Sequence, residues 1–140
     1  MDIKLENDDY KFILRSSAII YNKDKTKVLL FKVKDKDFYT LPGGKIKQSE
    51  TSIDAINREI KEEIEFENID FEFYNINESI INQNNIVYQQ VELIYKGIYM
   101  GEIDNNIVNS LEGDWCYFEW IDKNEIKNME IVPKKILQHI

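Results

Sequence analysis

The chain has 140 residues, 43% of them hydrophobic and 31% charged, a balance that supports a packed core and excludes a disordered chain. Its 26 acidic against 18 basic residues leave a net charge of −8, which repels a phosphate backbone at long range and argues against a nucleic-acid groove. No apolar run approaches the roughly 20 residues a bilayer span needs. The opening MDIKLENDDYK is too acidic and polar for a signal peptide, so neither points to a membrane.

One cysteine, Cys116, and one histidine, His139, make a structural zinc site untenable. A lone thiol fits a reducing, cytoplasmic setting. Any metal must therefore be held by oxygen, which selects Mg²⁺ or Mn²⁺.

In chain order, Phe12–Tyr21 is β-prone and the polar stretch 22–27 after it reads as a turn. Val28–Val33 forms a second strand, and Phe38–Leu41 is short and extended up to Pro42-Gly43-Gly44. The two glycines permit a tight loop that comes close to a ligand. A helix follows, capped by Thr51 or Ser52, with Asp54 in capping-box position relative to Thr51. Ile53, Ile56, Ile60 and Ile64 form its core-facing stripe. Strands are expected over Ile69–Ile76, Ile86–Met100 and Trp115–Ile121, with a hairpin connection at Asn82–Asn85. Short helices are expected over 122–128 and from Pro133 to Ile140. No linker or repeat divides the chain, so residues 1–140 read as one domain. Its class is α/β (α+β layered), a mixed sheet with helices packed on it.

The helix carries the chemistry. At about 100° per residue, Glu59, Glu62 and Glu63 share one flank. Like charges three and four apart repel, and these lie towards the helix C-terminus, where the macrodipole disfavours anions. An acidic run alone is most often a solvated face. A divalent cation among the three carboxylates would turn the repulsion into coordination.

The spacing from Gly44 through Glu50, Arg58, Glu59, Ile60, Glu62 and Glu63 to Phe66, preceded by LPGG, resembles the signature of the Nudix hydrolase family in its MutT-like form. One position departs: Glu65 stands where the family has glycine, which points to altered helix termination or a helix running on to Asn68. The resemblance implies a Nudix fold, a mixed β-sheet sandwiched between α-helices, with the box at 44–66. It also implies Mg²⁺, or Mn²⁺, held by Glu59, Glu62 and Glu63 and a backbone carbonyl of Gly43-Gly44. Arg58 pairs with Glu50 to pin the loop to the helix, with Gly44 structural.

The implied reaction is attack of water on phosphorus in a nucleoside diphosphate-linked small molecule. Glu62, Glu63 or Glu112 would serve as the base, and Glu62→Gln would nearly abolish turnover. Glu92 is a weaker base candidate, read as outward-facing. Arg15, Lys32, Lys34 and Lys45 are possible phosphate contacts. Phe38, Tyr39, Tyr88 and Trp115 could stack on a base, while Cys116 reads as core and His139 as inert.

The substrate narrows by elimination. Position 81 is Ile81, where ADP-ribose hydrolases of the family tend to have proline. Asn82 and Gln83 stand where dinucleoside polyphosphate hydrolases tend to have tyrosine. A nucleoside triphosphate or modified nucleotide is left. A catalytically silent nucleotide-binding or regulatory module is the alternative, opposed by the intact glutamate set. The sequence is silent on oligomeric state.

Overall fold

A computed structural model of the chain describes residues 1–64, 66 and 68–140. Its strands are β1 (Leu5–Asn7), β2 (Tyr10–Tyr21), β3 (Lys27–Val33), β4 (Tyr39–Thr40), β5 (Gly43–Lys45), β6 (Glu72–Gln83), β7 (Ile86–Ile98), β8 (Ile107–Asn109) and β9 (Cys116–Asp122). Helix α1 (Ser52–Ile64) lies between β5 and β6. The short α2 (Lys123–Ile126) follows β9, and a 3₁₀ turn covers Lys134–His139.

Strand β2 is the axis. One edge runs parallel to β7 in unbroken register, from Tyr10–Val87 to Tyr21–Ile98. The other edge is shared by β1, by β5 through Arg15–Ser17, and by β3 through the single pair Tyr21–Val28. Beyond that pair β2 and β3 part, and the glycine-bearing β5 lies along β2. Outside this centre, β6 flanks β7, and β9 then β8 flank β3, giving the order β6-β7-β2-β3-β9-β8.

Both faces of the sheet are covered, so β2 reads as a near-continuous apolar run towards its end. On one face Ile56, Ile60 and Ile64 of α1 pack on Ala18, Ile20, Leu29, Tyr95, Phe118 and Trp120. On the other, Ile19, Val28, Leu30, Ile94 and Ile121 meet Leu41, Ile126, Ile131 and Ile136 of the connecting and C-terminal segments. The layered mixed sheet expected from the sequence is present. Phe66 joins it by stacking on Tyr99 at 4.0 Å between ring centroids.

Four local expectations change. The glycine segment is the strand β5 rather than a free loop, because its backbone finds partners on β2. The strand expected over Ile69–Ile76 begins at Glu72 and runs to Gln83, while Ile69 itself is buried against the α1 layer. As an edge strand β6 is largely exposed, so its sequence lacks the alternation that would have marked its length. The turn tightens to Asn84–Asn85, with φ of 54° and 62°, the left-handed pair that a two-residue hairpin needs. The C-terminal helix is a 3₁₀ turn after Pro133. β1 and β8 are short, exposed strands that no pattern announced.

Helix α1 ends at Ile64, and Asn68, outside it, carries a left-handed φ of 61°. The expectation attached to Glu65 falls outside the described residues. Among the described residues, no helix is long and apolar enough to cross a membrane.

Candidate active site

The helix is set by its first turn. The Thr51 hydroxyl accepts from the Asp54 N–H at 3.2 Å, and the Asp54 carboxylate accepts from the Thr51 N–H at 3.3 Å, the reciprocal box the sequence suggested. Glu50, just before it, receives a two-pronged bond from Arg58, Nε to Oε2 at 2.6 Å and Nη2 to Oε1 at 2.9 Å. Arg58 Nη2 also donates to the Lys45 carbonyl at 3.2 Å, so one guanidinium ties the helix to the end of β5.

That guanidinium holds the Glu50 carboxyl down at about 2, chiefly through the hydrogen bonds it donates. A carboxylate with a depressed folded pKa adds stability that is complete above its unfolded value and disappears as pH falls through the folded one. Glu50→Gln is therefore expected to cost about 1–3 kcal/mol at pH 7. In urea titrations the gap from the parent protein should close between about pH 4.5 and 2; a gap independent of pH would show that the ion pair adds nothing.

Three carboxylates converge: Glu59, Glu63 and Glu112 each offer an oxygen within 4.8 Å of the others. Glu59 and Glu63 come from successive turns of α1. Glu112 arrives from the loop between β8 and β9, where the Leu111 N–H donates at 2.8 Å to the Glu63 carbonyl. This bond satisfies a carbonyl in the last turn of the helix and docks the loop beside it. The sequence named Glu112 for the proton-transfer role; the fold puts it with the cluster.

Glu62, named with Glu59 and Glu63 for the metal, is not in this group. Its side chain is 54% exposed and turned to Arg58 Nη1 at 3.3 Å. Position 62 lies 60° to one side of 59 and 63 lies 40° to the other, so 62 and 63 point 100° apart, and Glu112 meets the side that carries 63.

Glu63 is 6% exposed, and its Oε2 has no hydrogen-bond partner among the described residues. Burial raises its pKa well above the usual carboxylate range, and the charges of Glu59 and Glu112 raise it further. Burial likewise raises Glu112, with Glu59 and Glu62 adding to the effect. A buried acid without a partner among other acids is costly. A divalent cation relieves that cost, and an all-carboxylate donor set suits Mg²⁺ or Mn²⁺.

The paired glycines serve this cluster. A Cβ on Gly44 would overlap the Glu59 carboxylate, which lies directly over it. A Cβ on Gly43, at φ 148°, would collide with the Ser16 carbonyl and come within 2.8 Å of the Ser17 Cα. The first glycine lets β5 close on β2; the second makes room for the acid.

Of the expected phosphate contacts, Arg15 is held most firmly. It donates from Nε to Ser17 Oγ at 2.9 Å and from Nη2 to the Leu41 carbonyl at 2.8 Å, and it pairs with Glu92 at 3.4 Å. The Ser17 hydroxyl donates to the same Glu92 oxygen. Glu92 is thus not outward-facing: it is 2% exposed, because β7 is flanked on both edges and covered on both faces. The sequence carried no signal for this, because strand order alone gives β7 a neighbour on each edge.

Lys45 neighbours Arg15 across the β2–β5 pair but is itself exposed. Lys32 bonds the Val33 carbonyl at 3.3 Å and lies 5.9 Å from the Tyr39 ring centre. Tyr39 donates to Glu119 at 3.0 Å, and Trp115 is exposed with its edge against Phe31. Cys116 is buried in the sheet. His139 lies 3.2 Å from the Tyr74 hydroxyl, far in sequence from the acids.

The NUDIX domain profile matches residues 11–140. An m7GpppN-mRNA hydrolase from Saccharomyces cerevisiae is 41% identical over 54 residues, 39% of this chain but only 6% of that much longer protein. Among solved structures, the E. coli dihydroneopterin triphosphate pyrophosphohydrolase superimposes with a TM-score of 0.72 at 20% identity, covering 93% of each chain. The MutT NUDIX hydrolase from Burkholderia pseudomallei gives 0.68 at 20% identity, covering 91% of this chain and 96% of that one.

Proposed function

The chain belongs to the NUDIX domain family, and from that premise we propose that it is a Mg²⁺-dependent pyrophosphohydrolase. Its substrate is a small nucleoside diphosphate-linked molecule, a nucleoside triphosphate or a modified nucleotide. The observation that carries this reading is the convergence of Glu59, Glu63 and Glu112, with a buried, partnerless oxygen on Glu63.

Glu59 and Glu63 would hold the ion, with Glu112 or the nearby Glu62 completing its surroundings. When bound, Mg²⁺ supplies positive charge to the phosphate oxygens and acidity to water. Glu112 has a raised pKa and a loop position open to solvent, so its carboxylate can take the proton of the attacking water. Arg15, fixed by Glu92, Ser17 and the Leu41 carbonyl, presents a guanidinium that neutralises a phosphate without having to be ordered first. Arg58 is occupied by Glu50, Glu59 and Glu62 and acts by holding β5 and α1 together.

The test is a panel of nucleoside triphosphates, oxidised nucleotides, ADP-ribose and an m7GpppN dinucleotide. Phosphate release would be read with and without inorganic pyrophosphatase for the triphosphates, and with a phosphomonoesterase for ADP-ribose and the m7GpppN dinucleotide, whose products are phosphomonoesters, in Mg²⁺ and in EDTA. The expected result is Mg²⁺-dependent release from at least one nucleotide. Mg²⁺ binding with no turnover of any compound would identify a catalytically silent module.

A further inference from the structure

One residue reverses the logic of its strand. β6 is exposed along almost its whole length, with Phe73, Ile76 and Ile80 on the surface, and its one buried residue is an amide, Asn77, 4% exposed. Burying an amide is tolerated only where it finds a hydrogen-bond partner. The Asn77 Nδ2 has none among the described residues.

The strand register brings a partner alongside. Asn77 stands directly opposite Glu92 on β7, and Glu92 directly opposite Arg15 on β2, so the three side chains form one row across three strands. By alternation along the strands, this is the face that carries Ile19 and Ile94, away from α1. One Glu92 oxygen is in use: Oε2 accepts from the Ser17 hydroxyl and pairs with Arg15 Nε at 3.4 Å. The other, Oε1, has no partner among the described residues, although Glu92 is 2% exposed. A buried donor without an acceptor and a buried acceptor without a donor thus occupy paired positions on strands about 5 Å apart. Ser79 Oγ, two residues beyond Asn77 on the same face, is likewise unpartnered among the described residues.

We propose that Asn77 is a positioning residue: its amide holds Glu92 Oε1 through one buried water, closing a chain from the edge strand through Glu92 to the Arg15 guanidinium. A water accepts from the amide N–H while donating to the carboxylate, and Asn77, Glu92 and Ser79 supply the two to four polar partners that a buried water requires. With Oε2 held by Ser17 and Oε1 by this water, the carboxylate is fixed from both sides. Arg15 then keeps the direction in which its Nη2 bonds the Leu41 carbonyl. A loosened Glu92 would leave the guanidinium to be ordered when phosphate arrives, which slows the reaction. The assignment rests on the pyrophosphohydrolase reading only in taking Arg15 as a phosphate contact.

The test compares Asn77→Thr with Asn77→Val, two β-branched side chains that suit a strand and differ in one hydroxyl. Solvent exchange of the Arg15 Nε–H, read by ¹⁵N NMR on the metal-free chain, reports the network without turnover. Asn77→Val is expected to speed that exchange at least about fivefold. It should lower kcat/KM by a similar factor for the substrate found in the panel, with the Mg²⁺-induced rise in melting temperature unchanged. Asn77→Thr is expected to stay within about twofold of the parent, because its hydroxyl can hold the same water. Equal effects of the two variants, no effect of either, or a lost Mg²⁺ response would each overturn the proposal. Should Asn77→Val not fold, the parent chain decides. Its crystal structure is expected to show a water bonded to both Asn77 Nδ2 and Glu92 Oε1, and an amide turned away from Glu92 would defeat the assignment. Faster Arg15 exchange in Asn77→Val, with no nucleotide turned over by the parent, defeats the catalytic reading alone. Turnover by the parent with unaltered exchange in the variant defeats this inference alone.

Discussion

Glu63→Gln is expected to lower Mg²⁺-supported turnover at least about a hundredfold while leaving the metal-free protein at least as stable as its parent. Both halves follow from the same burial. The Glu63 carboxyl is 6% exposed, has a partnerless oxygen, and faces Glu59 and Glu112. Its charge opposes folding, and a bound cation would relieve that opposition. The amide keeps the shape and removes the charge, so the acid–acid repulsion goes together with the capacity to bind the ion.

The pH dependence has a definite sign. A carboxyl whose folded pKa is raised binds more protons in the native state than in the unfolded one. Stability is then full below the unfolded value and falls as pH rises towards the folded value. In EDTA the parent melting temperature should decline from about pH 5 upward, and Glu63→Gln should flatten that decline. Saturating Mg²⁺ should raise the parent more at high pH than at low pH, because the ligand must shed its proton to bind. The variant should lose this response. A variant that melts like the parent in Mg²⁺ and still turns over would remove Glu63 from the site.

The second large effect separates the two glycines. Gly44→Ala would press a methyl group into the space held by the Glu59 carboxylate, the movable end of a side chain. The fold should survive with Glu59 displaced, and an error on the order of 1 Å in a catalytic group can cost about a hundredfold in kcat. Gly43→Ala meets backbone instead, at the Ser16 carbonyl and the Ser17 Cα, in a φ region that side chains rarely adopt. It should break the β2–β5 pairing and lower stability by several kcal/mol, the range of severe backbone and packing lesions. Circular dichroism melts with assays on both variants would decide the matter. If Gly44→Ala unfolds while Gly43→Ala stays folded and active, the assignment of roles is reversed.

How legible the protein was in its sequence varied by residue. The Thr51–Asp54 box and the isoleucine stripe were readable because they arise at one helix, where local geometry and 3.6-residue periodicity fix neighbours; the Glu50–Arg58 pair was implied by the family resemblance. The α/β order of elements was readable for a similar reason: β2, β3 and β7 are buried strands whose apolar runs stand out. Edge strands broke the pattern. β6 is exposed over most of its length, so its extent was hidden, and β8 is only three residues long.

The sequence by itself determined the helix, its acid-rich flank and the glycine pair, since each depends on local geometry that any neighbouring fold must accept. Tertiary structure decided which acids meet. A loop near residue 111 bonds the last turn of α1 and delivers Glu112, while Glu62 turns outward to Arg58. It also decided that Glu92 is interior, because only strand order can put a second neighbour on each side of β7. Spacing along a chain fixes which residues share a face; the partner that covers the face is chosen by contacts distant in sequence, for which one strand carries no periodic trace.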